Sequence, residues 1–248
     1  MNYVIIIAGG VGSRLGATVP KQFVEVLGKP IIAYTMEHFQ NHPEIDAIEL
    51  VCVDGFQDHL KSIVEKYGIT KMLKIVKGGS EYERSIMNGV AGLEGIAKPE
   101  DLVIIHWAAS PFLSEEIITD NIRVCREKGN AITASYSYLL YGTNDGDCAK
   151  KSINRESFMT LAAPQSFKYS VITDIYRQVE EKHLFDYVEA HTPAFMAELD
   201  IPIYFSKGSH TNIKITEKED VELFLGYQLA KKQREADSFE TLTSKYNK

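Results

Sequence analysis

The sequence predicts a layered α/β sandwich built on a mostly parallel sheet with a projecting β-arm. Three observations predict it. Short β-branched apolar runs alternate with amphipathic stretches of helical length along most of the chain. The runs are continuously apolar, as in strands covered by helices on both faces. The alternation breaks once, at a polar, turn-rich stretch after Leu139. The layering expected is Rossmann-like, with three layers.

In chain order, the first strand falls at residues 3–7, and a helix at about 31–41 follows a glycine-rich loop. Strand 48–53 leads to a helix at about 58–67, strand 72–76 to a helix at about 83–93, and strand 102–106 to a helix at about 115–128. Strand 131–136 ends the regular series. The segment Tyr141-Gly142-Thr143-Asn144-Asp145-Gly146-Asp147-Cys148 is rich in turn formers, so residues 139–152 read as a hairpin or arm leaving the sheet. Helical patterning resumes at 169–182. The last helix is expected at 217–231, capped by Thr216 with Glu219 in the capping-box position. One domain is expected over residues 1–232, with the arm at about 137–157 and a C-terminal tail at 233–248.

Bulk properties narrow the function. The chain has 248 residues, 44% of them hydrophobic and 25% charged, a composition that folds without repeats or long disordered tracts. The net charge of -7 speaks against a broad nucleic-acid surface, so any phosphate site must be a local basic cluster. Cys52, Cys125 and Cys148 show no metal-ligand or paired spacing and read as buried or half-buried free thiols. The apolar opening, Val4 to Ala8, is too short for a signal peptide or a membrane span. A cytoplasmic location without membrane contact is expected.

The strongest local feature is Ala8-Gly9-Gly10-Val11-Gly12-Ser13-Arg14-Leu15-Gly16, followed by Pro20-Lys21-Gln22-Phe23. Glycines let the backbone approach phosphate oxygens closely, and loop N–H groups cradle them. Arg14 and Lys21 add the positive charge that attack on a phosphorus centre needs. A dinucleotide loop is excluded by spacing, because Gly10, Gly12 and Gly16 carry one residue too many and Asp54 lies too far downstream. A Walker A loop is excluded because no Gly-Lys-[Ser/Thr] closes the motif.

These residues resemble the family containing methylerythritol phosphate and ribitol-5-phosphate cytidylyltransferases, and lie closer to the ribitol-5-phosphate branch. Three further segments extend the resemblance in family order: Gly78-Gly79-Ser80 with Ser85, Ala163-Pro164-Gln165-Ser166-Phe167, and Asn212-Ile213-Lys214-Ile215-Thr216. It implies transfer of CMP from CTP to a phosphorylated polyol with release of pyrophosphate, in service of a cell-surface polymer or an isoprenoid precursor. Arg14, Lys21 and Lys214 would be catalytic. Ala8, Gly9, Gly10, Gly12, Ser13, Gly79, Ser80, Ser85 and Ala108 would bind the nucleotide. Mg²⁺ would arrive mainly on the triphosphate, so no metal ligand is assigned to the protein. The partners implied are CTP, a small phosphorylated acceptor and a second copy of the chain in a homodimer.

The acceptor side departs from the family. Where relatives carry His-Asp-Ala-[Ala/Val]-Arg-Pro, this chain has His106-Trp107-Ala108-Ala109-Ser110-Pro111, and where they usually carry Arg it has Tyr82. By resemblance, Trp107, Ser110, Arg155 and Glu189 would bind the acceptor, Arg155 from the arm. The alternatives are a core tryptophan, a surface arginine paired with Glu156 and an exposed strand-end Lys214. His106 reads as structural, and the other histidines carry no assignment. The departures imply either a changed acceptor or a catalytically weakened, CTP-binding regulatory homologue.

Overall fold

The computed structural model of the chain describes residues 1–10 and 19–236. Strand β1 (Asn2–Ala8) leads through β2 (Glu25–Val26) and β3 (Lys29–Pro30) to α1 (Ile31–Asn41). Three strand–helix pairs follow: β4 (Ala47–Cys52) with α2 (Gln57–Lys66), β5 (Met72–Lys77) with α3 (Tyr82–Gly92), and β6 (Leu102–Trp107) with α4 (Glu115–Lys128). Then come β7 (Asn130–Tyr136), the arm strands β8 (Tyr141–Gly142) and β9 (Ser152–Ile153), β10 (Met159–Lys168) and α5 (Tyr169–Glu181). The chain continues with α6 (Thr192–Glu198), β11 (Phe205–Lys207) and α7 (Lys218–Ala236).

The main sheet runs in the order β11-β7-β10-β6-β1-β4-β5. β1 is parallel to β4 and β6, β4 to β5, and β7 to β11, whereas β10 is antiparallel to both its neighbours. The layering follows from the period-two alternation of side chains along a strand. Val4, Ile6 and Ala8 face a core shared with α1, α2 and α4. Tyr3, Ile5 and Ile7 face the opposite core, shared with α3, α5 and α6. Both faces of β1 are thus covered, which is why its sequence is apolar throughout.

Several elements differ from the sequence expectation. β10, α6 and β11 carry no clear periodic pattern and are visible only in the fold. β10 enters between β6 and β7, and its register shifts between Ala162 and Gln165, around the cis Ala163–Pro164 bond. The last helix is anchored by Asp220, not Glu219: its carboxylate accepts from the Thr216 and Glu217 N–H groups at 2.7 and 2.9 Å, while the Thr216 hydroxyl donates to the Lys214 carbonyl. That helix also continues past residue 231, to Ala236, and Phe224 and Tyr227 pack it against Phe112 and Tyr34. Cys52 and Cys125 are buried as expected, but Cys148, on the arm, is exposed.

Candidate active site

In parallel α/β sheets, ligands bind beyond the carboxyl ends of the strands, where successive connections leave in opposite directions. Here the chain steps from β1 through β4 to β5 on one side, then returns to β6 on the other. The crevice between the ends of β1 and β6 is therefore the expected site, and two adjoining clefts open there. One, of about 450 Å³, is walled by Gly9, Gly10, Gly78, Gly79, Ser80 and Ser85. The other, of about 350 Å³, contains Gly10, Lys21, Trp107, Ala108 and Lys214. Ile7, Gly10 and Tyr82 border both.

The first cleft is narrow because backbones meet there. A Cβ on Gly9 would lie 2.8 Å from the Ser85 hydroxyl oxygen, and one on Gly79 would lie 2.4 Å from Arg84 Cβ and 2.9 Å from Ser85 N. Only glycine permits these approaches. Ser85 closes the contact by accepting from Gly79 N–H at 3.0 Å and donating to the Glu81 carbonyl at 3.0 Å. The loop and the start of α3 thus form a slot suited to a flat ring. Asp54 and Lys77 form an ion pair of 2.9 Å at its rim.

Between the clefts, Pro20-Lys21-Gln22-Phe23 divides its work by side chain. Phe23 is buried and stacks on Phe56 at 5.3 Å, while Lys21 lines the second cleft. Gln22, 2% exposed, donates from Nε2 to the carbonyls of Ala8 at 2.8 Å and Gly10 at 3.0 Å. It ties the glycine loop to the short helical turn at residues 21–23. The Ala8 carbonyl also accepts from Val53 N–H, and Ala108 N–H donates to the Ile7 carbonyl at 3.1 Å, so these two strand ends are held together by main-chain bonds. Gly12, Ser13 and Arg14 lie outside the described residues.

Lys214 is held from both sides. The buried Asn212 amide donates to the Ala163 carbonyl at 2.7 Å, and Ile215 N–H donates to the Ala109 carbonyl at 2.8 Å. Two segments that stand far apart in sequence, 163–167 and 212–216, are thereby one support. Between these anchors the Lys214 ammonium stands 4.8 Å from the Trp107 ring centroid and 5.3 Å from that of Tyr82. The Trp107 indole N–H donates to the Tyr82 hydroxyl.

The remaining acceptor-side expectations divide. Trp107 lines the cleft, so it is not a fully buried core residue. Ser110 does not reach the lining: it is 1% exposed, its carbonyl is 3.0 Å from His106 Nε2, and its hydroxyl oxygen has no hydrogen-bond partner. Burial lowers His106 to a pKa of about 4, so the ring is a neutral core element packed edge-on to Phe39. Arg155 sits on the arm and donates to the Tyr138 carbonyl at 3.1 Å, away from the cleft lining of its own chain. Glu189 is exposed, with its carboxylate 3.3 Å from His191 Nε2.

Sequence reasoning gave no role to Gln22, Tyr82 or His191, all of which line the second cleft. Gln22 stood inside a quoted motif and Tyr82 at a noted departure, so both had a signal. His191 had none. It is placed by Glu83, a buried carboxylate that accepts from Thr192 N–H at 2.8 Å and the Tyr176 hydroxyl at 2.7 Å. Burial pushes the Glu83 carboxyl up, and these hydrogen bonds oppose the shift.

A glycine-walled slot beside a crevice lined by two lysines, at the switch point of a parallel sheet, is the arrangement of a nucleotide-handling α/β protein. The comparisons resolve the class further. A family model described as IspD, 2-C-methyl-D-erythritol 4-phosphate cytidylyltransferase, matches residues 2–226, and the chain belongs to that family. It is 37% identical to a ribitol-5-phosphate cytidylyltransferase of Lacticaseibacillus paracasei over 224 residues, covering 90% of this chain and 96% of the relative. It is 34% identical to a 2-C-methyl-D-erythritol 4-phosphate cytidylyltransferase of Clostridium botulinum, covering 93% and 98%. Among solved structures, the 4-diphosphocytidyl-2C-methyl-D-erythritol synthase of Anaerococcus prevotii superposes with a TM-score of 0.76 at 27% identity, covering 92% of this chain and 96% of that one.

Proposed function

We propose that the chain transfers CMP from CTP to the phosphate of a polyol phosphate of the ribitol 5-phosphate type. An oxygen of the acceptor phosphate attacks the α-phosphorus, the bond from that phosphorus to the bridging oxygen breaks, and pyrophosphate leaves with the electron pair. The acceptor phosphate is already largely dianionic at neutral pH, so no general base is needed. The observation that carries this reading is that Lys21 and Lys214 line one crevice that shares Gly10 with the glycine-walled slot. Two cations at that place stabilise charge on a pentavalent phosphorus and on the leaving pyrophosphate.

In this reading Arg14, Lys21 and Lys214 are the catalytic groups. Gly10, Gly12 and Ser13 hold phosphates, while Ala8, Gly9, Gly79, Ser80, Ser85 and Ala108 surround the cytidine. Trp107, Glu189 and Arg155 serve the acceptor, Arg155 by reaching a second subunit. Mg²⁺ would be held by the triphosphate oxygens and their waters, where it neutralises phosphate charge. A homodimer is supported by the arm, where Tyr138, Leu139 and Leu140 are exposed beside Arg155. No helix among the described residues is long and apolar enough to cross a membrane, and free thiols accord with a reducing cytoplasm.

The test is CTP-dependent pyrophosphate release over a panel of phosphorylated polyols, with Lys21→Ala as the control. The variant should lose about 10²-fold or more in turnover with its fold intact, the usual effect of removing one preorganised charge-stabilising group. CTP binding without turnover on any acceptor would overturn the reading and leave a nucleotide-binding regulator.

A further inference from the structure

Tyr82 and Trp107 are far apart in sequence yet form one wall of the cleft. The indole has a single N–H, and the Tyr82 hydroxyl takes it. Trp107 therefore shows the cleft only ring surface. The phenol accepts that bond and keeps its own proton to donate. Burial, with the Glu83 charge adding to it and the Trp107 bond opposing it, pushes the Tyr82 hydroxyl well above the usual phenol range; it stays a neutral donor at physiological pH. Glu83, which follows Tyr82 at the start of α3, also binds the first residue of α6, so the wall and the neighbouring His191, 6.3 Å from Tyr82 ring to ring, are fixed together.

A wall of two ring faces and one hydroxyl cannot pair with a row of acceptor hydroxyls. Polar groups turned onto it would lose water without gaining partners, whereas C–H surface packs there without penalty. A cationic head group is also disfavoured, because the Lys214 ammonium already stands near both rings and like charges repel. We propose that Tyr82 and Trp107 act as one specificity-determining unit. It selects a phosphorylated polyol whose carbons opposite the wall carry hydrogen in place of hydroxyl, with one hydroxyl set for the Tyr82 O–H. This rests on the cytidylyl-transfer reading above and narrows its acceptor.

Trp107 is the only tryptophan of the chain, so its emission reports on this wall directly. The full-length chain, saturated with Mg²⁺ and an α,β-methylene analogue of CTP, is titrated with ribitol 5-phosphate, with each of its singly deoxygenated analogues, and with phosphocholine. The expected result is a saturable emission change that reaches half-saturation at roughly ten-fold lower concentration for one deoxygenated analogue than for ribitol 5-phosphate, and is absent with phosphocholine; that is the scale on which one apolar or hydrogen-bonding contact discriminates. In parallel, pyrophosphate release with CTP gives kcat/KM for the same acceptors. The double variant Y82R/W107D should move the ratio of deoxygenated to fully hydroxylated acceptor by about ten-fold or more toward ribitol 5-phosphate. Y82F, which removes the hydroxyl donor and releases the indole N–H, should shift the same ratio and serves if the double variant does not fold. A silent emission at saturating acceptor, or an unchanged ratio in either folded variant, overturns the proposal. Absence of turnover with every acceptor would instead refute cytidylyl transfer, and the emission titration would still decide whether the wall meets a polyol phosphate.

Discussion

Gln22→Met tests whether the glycine loop depends on a side chain outside it. Methionine nearly matches glutamine in length and volume, so the buried site keeps its packing and loses only two donated hydrogen bonds, to the Ala8 and Gly10 carbonyls. Each bond is worth about 1 kcal/mol net, and a buried carbonyl left short of a donor adds about 1–3 kcal/mol. Ala8 keeps its bond from Val53 N–H, and Gly10, where the loop begins, is exposed, so the extra penalty stays at the low end of that range. The total is about 3 kcal/mol. Part of it should appear as lost global stability and part as a loop that closes less well on phosphate. Urea unfolding is expected to show a loss of about 2 kcal/mol, and steady-state pyrophosphate release a KM for CTP raised about ten-fold or more, with the acceptor KM little changed. A destabilised variant whose kcat and KM for CTP stay within about two-fold of wild type would refute the reasoning and confine Gln22 to the fold.

Gly79→Ala should weaken CTP binding by roughly ten-fold or more without altering acceptor KM, because the new Cβ would lie 2.4 Å from Arg84 Cβ and force α3 away from the slot; calorimetric titration with CTP that matches wild type would show that α3 yields freely. Asn212→Ala removes the bond that holds the Lys214 segment to Ala163 and should lower kcat about ten-fold, against about 10²-fold for Lys214→Ala. If Asn212 acts through Lys214, the double variant is no worse than Lys214→Ala alone, and additive losses would separate the two. Glu49 is buried with neither carboxylate oxygen hydrogen-bonded and with the Lys74 ammonium 3.7 Å away. Burial, opposed by Lys74, raises its carboxyl from 4.5 to about 7. Between those values the folded chain keeps a proton that the unfolded chain has released, so stability falls as pH rises through this window, by up to about 3 kcal/mol at about 1.4 kcal/mol per pH unit. Glu49→Gln should flatten that dependence and gain stability at pH 8 relative to pH 5 in urea unfolding; an identical pH slope in the variant would exclude Glu49 as its source.

The sequence by itself determined the layered parallel core and pointed to the glycine-walled cleft of the candidate site. Continuous apolar strands such as β1 have one physical solution, burial on both faces, and a run of glycines between a strand and a cationic turn has few uses other than close approach to an anion. Those signals are local, carried by periodicity and by spacing within a dozen residues. Tertiary structure alone decided which residues line the second cleft. Trp107 and Ser110 stand three residues apart and invite a joint reading, yet the turn after β6 sends the first into the cleft and the second beneath it, and the true partner of Trp107 is Tyr82, at the start of α3. Likewise the support of Lys214 comes from an antiparallel strand, β10, whose sequence shows no clear period, and His191 is fixed by a carboxylate more than a hundred residues before it. Contacts of that range depend on which strands are neighbours in the sheet, and no local pattern encodes that order.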